Sequence, residues 1–320
     1  NADADSKFGT STLNYVSLNG IGSFEGVGTD VYNFKTNGAD DWQEFTYIET
    51  PEDFIAFNNN SSKWTGNYVL KNDITISIDL GAARPDSGSF TGKFSGNGHT
   101  ISNVTVNLSD TDYIGLFGTN QGLIMDLSVK GDITGKDYTG GICGMNQGTI
   151  YRCSFEGNVN GQNNVGGICG YNGSDGTANG KIKNCYVVGD AAGNSSVSGI
   201  CGKNNASGDT VENCYFAGKV TSNVNGSYSP IAKGGTIKNC YFNRELCAAS
   251  NVSGSMTGLT TEMMTNDSAL ASYTMNGFSS FLTKKENDKG ENGAGTAYYP
   301  SFSKDNAPSV GYTAELTLTK

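Results

Sequence analysis

Tyr186, Tyr215 and Tyr241 each follow a cysteine and precede an apolar residue, at steps of 29 and 26 residues. Alternation puts them on the opposite parity to Cys185, Val187, Cys214 and Phe216, so they are expected to point outward. Stacked on successive repeats, they would form an aromatic strip about 10 Å long. A tyrosine offers an apolar face and a polar tip, which suits a sugar ring or a protein side chain. These three are the candidate binding residues. The structural reading, in which the rings stack across strands to shield the sheet or are covered by the C-terminal segment, is the preferred one.

Other chemistry is sparser. Asp110 and Asp112 sit in the turn SDTD, and Asp132 and Asp137 flank another turn. A calcium loop at SDTD is weighed against a solvated turn, and the turn is favoured because Asp commonly forms turns. His99, the single histidine, lies in the turn motif GNGHT. A general base there is weighed against a structural hydrogen bond, and the second is preferred. No HExxH, GxSxG, Walker A or Rossmann pattern occurs. No CxxC occurs either, so no metal site is expected. No catalytic residue and no cofactor are assigned.

The elements that carry these residues are repeats. Five related segments fill residues 113–243, and Leu127, Cys153, Cys185, Cys214 and Cys240 share one column at steps of 26, 32, 29 and 26. Such a period marks a stacked array. Within a repeat, Cys153, Phe155, Gly157 and Val159 alternate with Ser154, Glu156 and Asn158, the pattern of a strand with one buried face. Each repeat then forms one coil, about 4.8 Å above the last. Ile124, Ile150, Ile182, Val211 and Ile237 form an aliphatic column. Asn184, Asn213 and Asn239 form one asparagine column, with Asp126 and Arg152 as departures; Asn120, Asn146, Asn172 and Asn204 form another. Asparagine tolerates left-handed backbone, and stacked amides can bond along the axis. The extra lengths at 173–180 and 206–209 are expected to bulge from one corner.

Of eight cysteines, four lie on the Cys153 column and Cys143, Cys169 and Cys201 on the GGICG column. Leu127, Phe117 and Ala232 occupy the same columns, so the sites call for an apolar filler. Free buried thiols are therefore expected, although stacked cysteines fall within disulfide reach. Ile and Cys are adjacent in GGICG and cannot both face inward on a straight strand.

The net charge is −10 with 21 Lys and Arg, which argues against a nucleic-acid partner. No apolar run is long enough for a transmembrane helix. No signal peptide is visible and residue 1 is Asn, which reads as the start of a processed or trimmed chain. Residues 48–60 read as a short helix with Thr50 as N-cap and Pro51 in the first turn, placing Phe54, Ile55 and Phe57 over the open end of the stack. Residues 255–276 read as partly helical and are placed at the far end. Residues 309–320 alternate like a strand.

FTGKFSGNGHTISNVTV, YIGLFGTNQGLI, GGICGMNQGTI, GGICGYNG and SGICGKNN resemble the GLUG motif of bacterial proteins, and the resemblance spans about residues 48–303. It implies a right-handed, pectin-lyase-like β-helix in an exported surface protein, as in adhesin-like and immunoglobulin A peptidase-like proteins. It does not carry peptidase chemistry here, since HExxH is missing. The expected fold is all-β: a right-handed parallel β-helix solenoid of about six or seven coils with short helical caps. The expected organisation is a strand-rich appendage at 1–46, the β-helix at 47–254 with a helical N-cap at 48–60, and a C-terminal capping segment at 255–320. The expected function is non-catalytic: adhesion, ligand binding or rigid display outside the bacterial cell, by a monomer, with a host or environmental glycan or protein as partner. The alternative is a polysaccharide-active lyase or glycoside hydrolase.

Overall fold

The computed structural model describes residues 42–83, 88–173, 180–205, 210–247, 255–271, 274–290 and 293–312, and the backbone of strands at 17–18, 22–27 and 31–35. The chain winds into a right-handed parallel β-helix. One coil shows the plan. Thr139–Gly140, Cys143–Asn146, Thr149–Tyr151 and Ser154–Asn160 are four short strands, each in a different sheet. Two-residue corners at 141–142, 147–148 and 152–153 separate them.

Repeat columns become register partners. Cys143 pairs between Phe117 and Cys169. Ile150 pairs between Ile124 and Ile182, and Phe155 between Val129 and Val187. These side chains fill the bore and are buried, as are Leu127, Cys153, Cys185, Cys214 and Cys240. Each coil thus hides its apolar face on its neighbours, as a solenoid must. All eight cysteines are free thiols. Cys143 and Cys169 lie Sγ to Sγ at 3.7 Å. Burial pushes the Cys153 thiol far above its usual range. Ile142 and Cys143 are both buried because the chain bends at 141–142, between the two short strands. The straight-strand conflict in GGICG is resolved by a corner.

Two asparagine ladders run along the axis and differ in kind. Asn97, Asp126, Arg152, Asn184, Asn213 and Asn239 all sit in left-handed backbone, with φ between 47° and 56°. Asn213 Nδ2 donates to Asn184 Oδ1 at 3.1 Å, and Asn239 Nδ2 to Asn213 Oδ1 at 2.7 Å. The other ladder is buried. Asn120 donates to Asn146, Asn146 to Asn172 and Asn172 to Asn204, at 2.8, 2.7 and 2.8 Å. A buried amide left unpaired costs its full desolvation penalty. Asn146→Ala removes both amide bonds of its rung and orphans a donor and an acceptor. It is expected to cost about 3 kcal/mol in urea denaturation. A loss below about 1 kcal/mol would show the ladder to be dispensable.

The longer repeats differ at one corner. In one coil residues 147–148 alone join Cys143–Asn146 to Thr149–Tyr151, whereas the two later coils need 173–180 and 205–209. Residues 174–179 and 206–209 lie outside the described residues, so the expected bulges do too.

At the N-terminal end, helix α1 (Pro51–Asn58) starts with a complete capping box: Thr50 accepts from the Asp53 N–H, and the Asp53 carboxylate accepts from the Thr50 N–H. Its Phe54 and Phe57 are buried against Phe90, Phe94 and Phe117, while Ile55 packs at the margin. The apolar bore is thereby closed. Trp42–Ile48 pairs parallel with Asn67–Leu70 on one side and antiparallel with Val31–Lys35 on the other. Strands 17–18 and 22–27 continue that antiparallel order.

At the other end, Met256–Leu259 adds one more parallel strand to Cys240–Asn243. Helix α2 (Thr261–Thr265) and a hairpin of Gly295–Tyr298 with Ser309–Tyr312 follow. This segment folds back along the outer flank of the sheet that holds Ser154–Asn160. Residues 313–320, the rest of the expected terminal strand, lie outside the described residues. No described helix is long and apolar enough to cross a membrane.

Candidate functional site

Tyr186, Tyr215 and Tyr241 do point out of the bore, as their parity requires, and they are register partners on successive coils. The strip is nevertheless not exposed. The three are 4%, 0% and 8% accessible. The expected exposure is therefore corrected to a buried seam, and the cover by the C-terminal segment weighed against it is what occurs. Tyr186 and Tyr215 stack at 5.0 Å with planes 1° apart, and Phe302 packs on Tyr186 at 5.0 Å. Tyr215 donates its hydroxyl to the Pro300 carbonyl. Tyr241 meets Phe278 edge-on at 5.2 Å, and its hydroxyl accepts from the Asn276 N–H at 3.1 Å. Met264, Met275, Phe281, Leu282 and Tyr299 complete one apolar cluster. Burial pushes the Tyr186 phenol up to about 12. The physical reason is area: a ladder of large rings gains more from burial under a covering segment than from exposure to water.

The edge of this seam holds a buried and incompletely paired carboxylate. Asp126 and Arg152 occupy left-handed positions that carry asparagine in the neighbouring coils. Arg152 Nε lies 2.8 Å from Asp126 Oδ1, yet its N–H is not aimed at the oxygen, and Asp126 Oδ2 has no donor. The Arg152 guanidinium also sits 5.8 Å from the Phe302 ring centre. Burial raises the Asp126 carboxyl from 3.8 to about 6, against the opposing pull of Arg152. Folding thus binds the proton more tightly. The stabilisation from holding it is fully present below the unfolded value and is lost as pH rises through about 6. Asp126→Asn, which restores the asparagine column, is expected to raise stability at pH 8 by about 2 kcal/mol and to flatten the pH dependence below that. Urea denaturation across the acid range checks this; a variant no more stable than the parent above the shifted pKa contradicts it.

The other residues singled out by type make hydrogen bonds within and between coils. His99 Nδ1 lies 3.1 Å from Asp73 Oδ1, which also accepts the Thr100 N–H at 2.8 Å. Asp112 Oδ1 accepts the Asp137 N–H at 3.2 Å, and Asp132 Oδ1 accepts both the N–H and the amide of Asn158. Among the described residues no three His, Cys, Asp or Glu side chains converge to hold a metal.

A second aromatic ladder escaped the sequence reading. Tyr113 and Tyr138 stack at 4.7 Å with planes 3° apart, and Tyr138 meets Tyr171 at 5.7 Å. Tyr113 is 42% exposed. Both Tyr113 and Tyr138 hold left-handed backbone, at φ 61° and 57°. For an L-residue with a large side chain that costs about 1–2 kcal/mol. The available signal was the pair Asp-Tyr, which occurs before the glycines of two successive repeats, at 112–113 and 137–138.

No family model matches this chain. Over 137 aligned positions it is 34% identical to halomucin from Haloquadratum walsbyi (strain DSM 16790 / HBSQ001). That alignment covers 30% of this chain and 2% of halomucin, so the chain corresponds to a small part of that relative. Among solved structures, a proposed immunoglobulin A1 protease from Bacteroides ovatus matches with a TM-score of 0.52 at 20% identity, over 84% of this chain and 95% of that one. The chain is therefore similar to that protein in its β-helical fold, and to a short stretch of halomucin in sequence.

Proposed function

We propose that this chain is a non-catalytic β-helical module of an exported bacterial surface protein, of the GLUG-motif type, used for adhesion, ligand binding or rigid display. The observation that carries the reading is the continuous in-register stacking. The bore is filled by a single apolar core, and amide ladders run along the axis. Such a rod is stiff and keeps its chemistry on the outside. A net charge of −10 keeps it soluble. The fold shared with the Bacteroides ovatus protein carries no catalytic assignment, since one fold hosts many activities. The proposed organisation is an appendage at 1–46, the β-helix from 47 and a C-terminal cap from 255, acting as a monomer.

The test is direct. Labelled chain is applied to arrays of glycans and extracellular proteins, and is also incubated with acidic and neutral polysaccharides. Saturable binding with no new reducing ends or unsaturated products is the expected outcome. Depolymerisation of any of these polymers would overturn the reading in favour of a lyase or glycoside hydrolase.

A further inference from the structure

The corner preceding the Thr139–Gly140 sheet is left-handed in four successive coils, at Tyr113, Tyr138, Asn164 and Ser196. Asn164 suits that backbone, because asparagine enters it readily; a bulky aromatic residue there is an outlier. The tyrosines at 113 and 138 thus oppose the preference of their own backbone. Stacking at 4.7 Å offsets part of that cost. It does not account for a large ring left 42% exposed at the end of the stack.

The far end of the same ladder shows what the rings attract. Lys203 Nζ lies 5.0 Å from the Tyr171 ring centre. The ladder therefore already takes an ammonium at one end. At the other, Tyr113 follows Asp110 and Asp112 in one turn, and Asp137 lies in register with Asp112 on the next coil. Asp112 is 3.9 Å from Lys136, and Asp137 Oδ1 is engaged by Asn163 at 2.9 Å. Three carboxylates against one lysine leave the turn acidic. A cation over an aromatic face, with a carboxylate beside it, is held by both. A guanidinium does this well, since it is planar and forks onto a carboxylate.

We infer that Tyr113 and Tyr138, with Asp110, Asp112 and Asp137, form a binding site for a basic side chain of a partner protein. This rests on the proposed reading that outer faces of the rod bind partners.

The experiment uses the full chain and an immobilised peptide carrying three arginines spaced by glycine. The parent is expected to bind, more tightly at low salt. The double variant Tyr113→Asn with Tyr138→Asn is expected to lose about tenfold in affinity, equivalent to about 1.4 kcal/mol. Its thermal midpoint is expected to stay level or rise, because asparagine fits the corner. Asp110→Asn with Asp112→Asn is expected to weaken binding and its salt dependence, whereas Tyr113→Phe keeps the ring and the binding. The inference is overturned if the parent ignores the peptide, if the tyrosine variant binds like the parent, or if its midpoint falls, which would mark the tyrosines as structural. It is also overturned if the tyrosines matter for a glycan and not for the peptide. A parent that binds an array ligand which the tyrosine variant also keeps sinks the inference and leaves the proposed function standing.

Discussion

Replacing Gly157 by alanine is expected to cost about 4 kcal/mol, among the largest effects of any single methyl group in this chain. Gly131 and Gly157 are register partners in Ser128–Thr134 and Ser154–Asn160, and Gly189 and Gly218 continue their column just past Tyr186–Val188 and Tyr215–Ala217. A Cβ on Gly157 would lie 1.8 Å from the Gly131 carbonyl oxygen, and one on Gly189 would lie 1.9 Å from that of Gly157. The obstruction is backbone, so no rotamer relieves it. At φ 141° the residue also holds a conformation that L-residues rarely adopt. The coils must separate or the strand must shift, and either breaks ladder hydrogen bonds on both sides. Gly98→Ala is the control. Its φ is 80°, but a Cβ there meets nothing within 4 Å, so only the backbone cost of about 1 kcal/mol applies. Urea denaturation followed by far-ultraviolet circular dichroism compares the two. Equal losses would mean that close coil approach does not constrain this column.

Tyr215→Ala is expected to loosen the C-terminal segment without unwinding the coils. Tyr215 is fully buried between Tyr186 and Tyr299, and its hydroxyl anchors the Pro300 carbonyl. Truncating a buried aromatic ring costs about 3–5 kcal/mol through lost burial and the cavity left behind. The loss falls on the interface between residues 255–312 and the sheet, because the ring lies outside the bore. Amides bonded within that segment, such as Thr283 to Ser301 at 2.7 Å, should exchange faster. Amides of the inner ladders, such as Ile142 to Ile168, should not. Hydrogen exchange reads both sets in one experiment. Uniform acceleration across both sets would show that the segment and the β-helix unfold as one unit.

The two variants probe features that differ in how readable they were. The bore was legible, whereas the close coil approach at Gly157 was not. A parallel stack puts each residue beside its counterpart one repeat later, so a core position repeats as Ile124, Ile150 and Ile182, and a cysteine is replaced by Leu127 or Phe117. The asparagine ladders were legible for the same reason, and the start of α1 followed from Thr50 and Pro51. The tyrosine seam was legible only in half. Parity states which side of a strand a residue takes, and Tyr215 took the outer side. It leaves water and cover by the C-terminal segment both open, and only the contact made from 85 residues away decides between them. The Tyr113 ladder was missed because its meaning lies in a backbone angle and a ring overlap, neither of which a spacing expresses.

By itself, then, the sequence determined the repeat, the strand faces, the apolar bore and the chemistry of each column, because local alternation and one-repeat stacking are short-range rules. Only the tertiary structure decided which outer columns meet water. That choice depended on a C-terminal segment folding back over the Tyr186 column and leaving the Tyr113 corner exposed, and it is set by long-range packing of rings that no periodicity encodes.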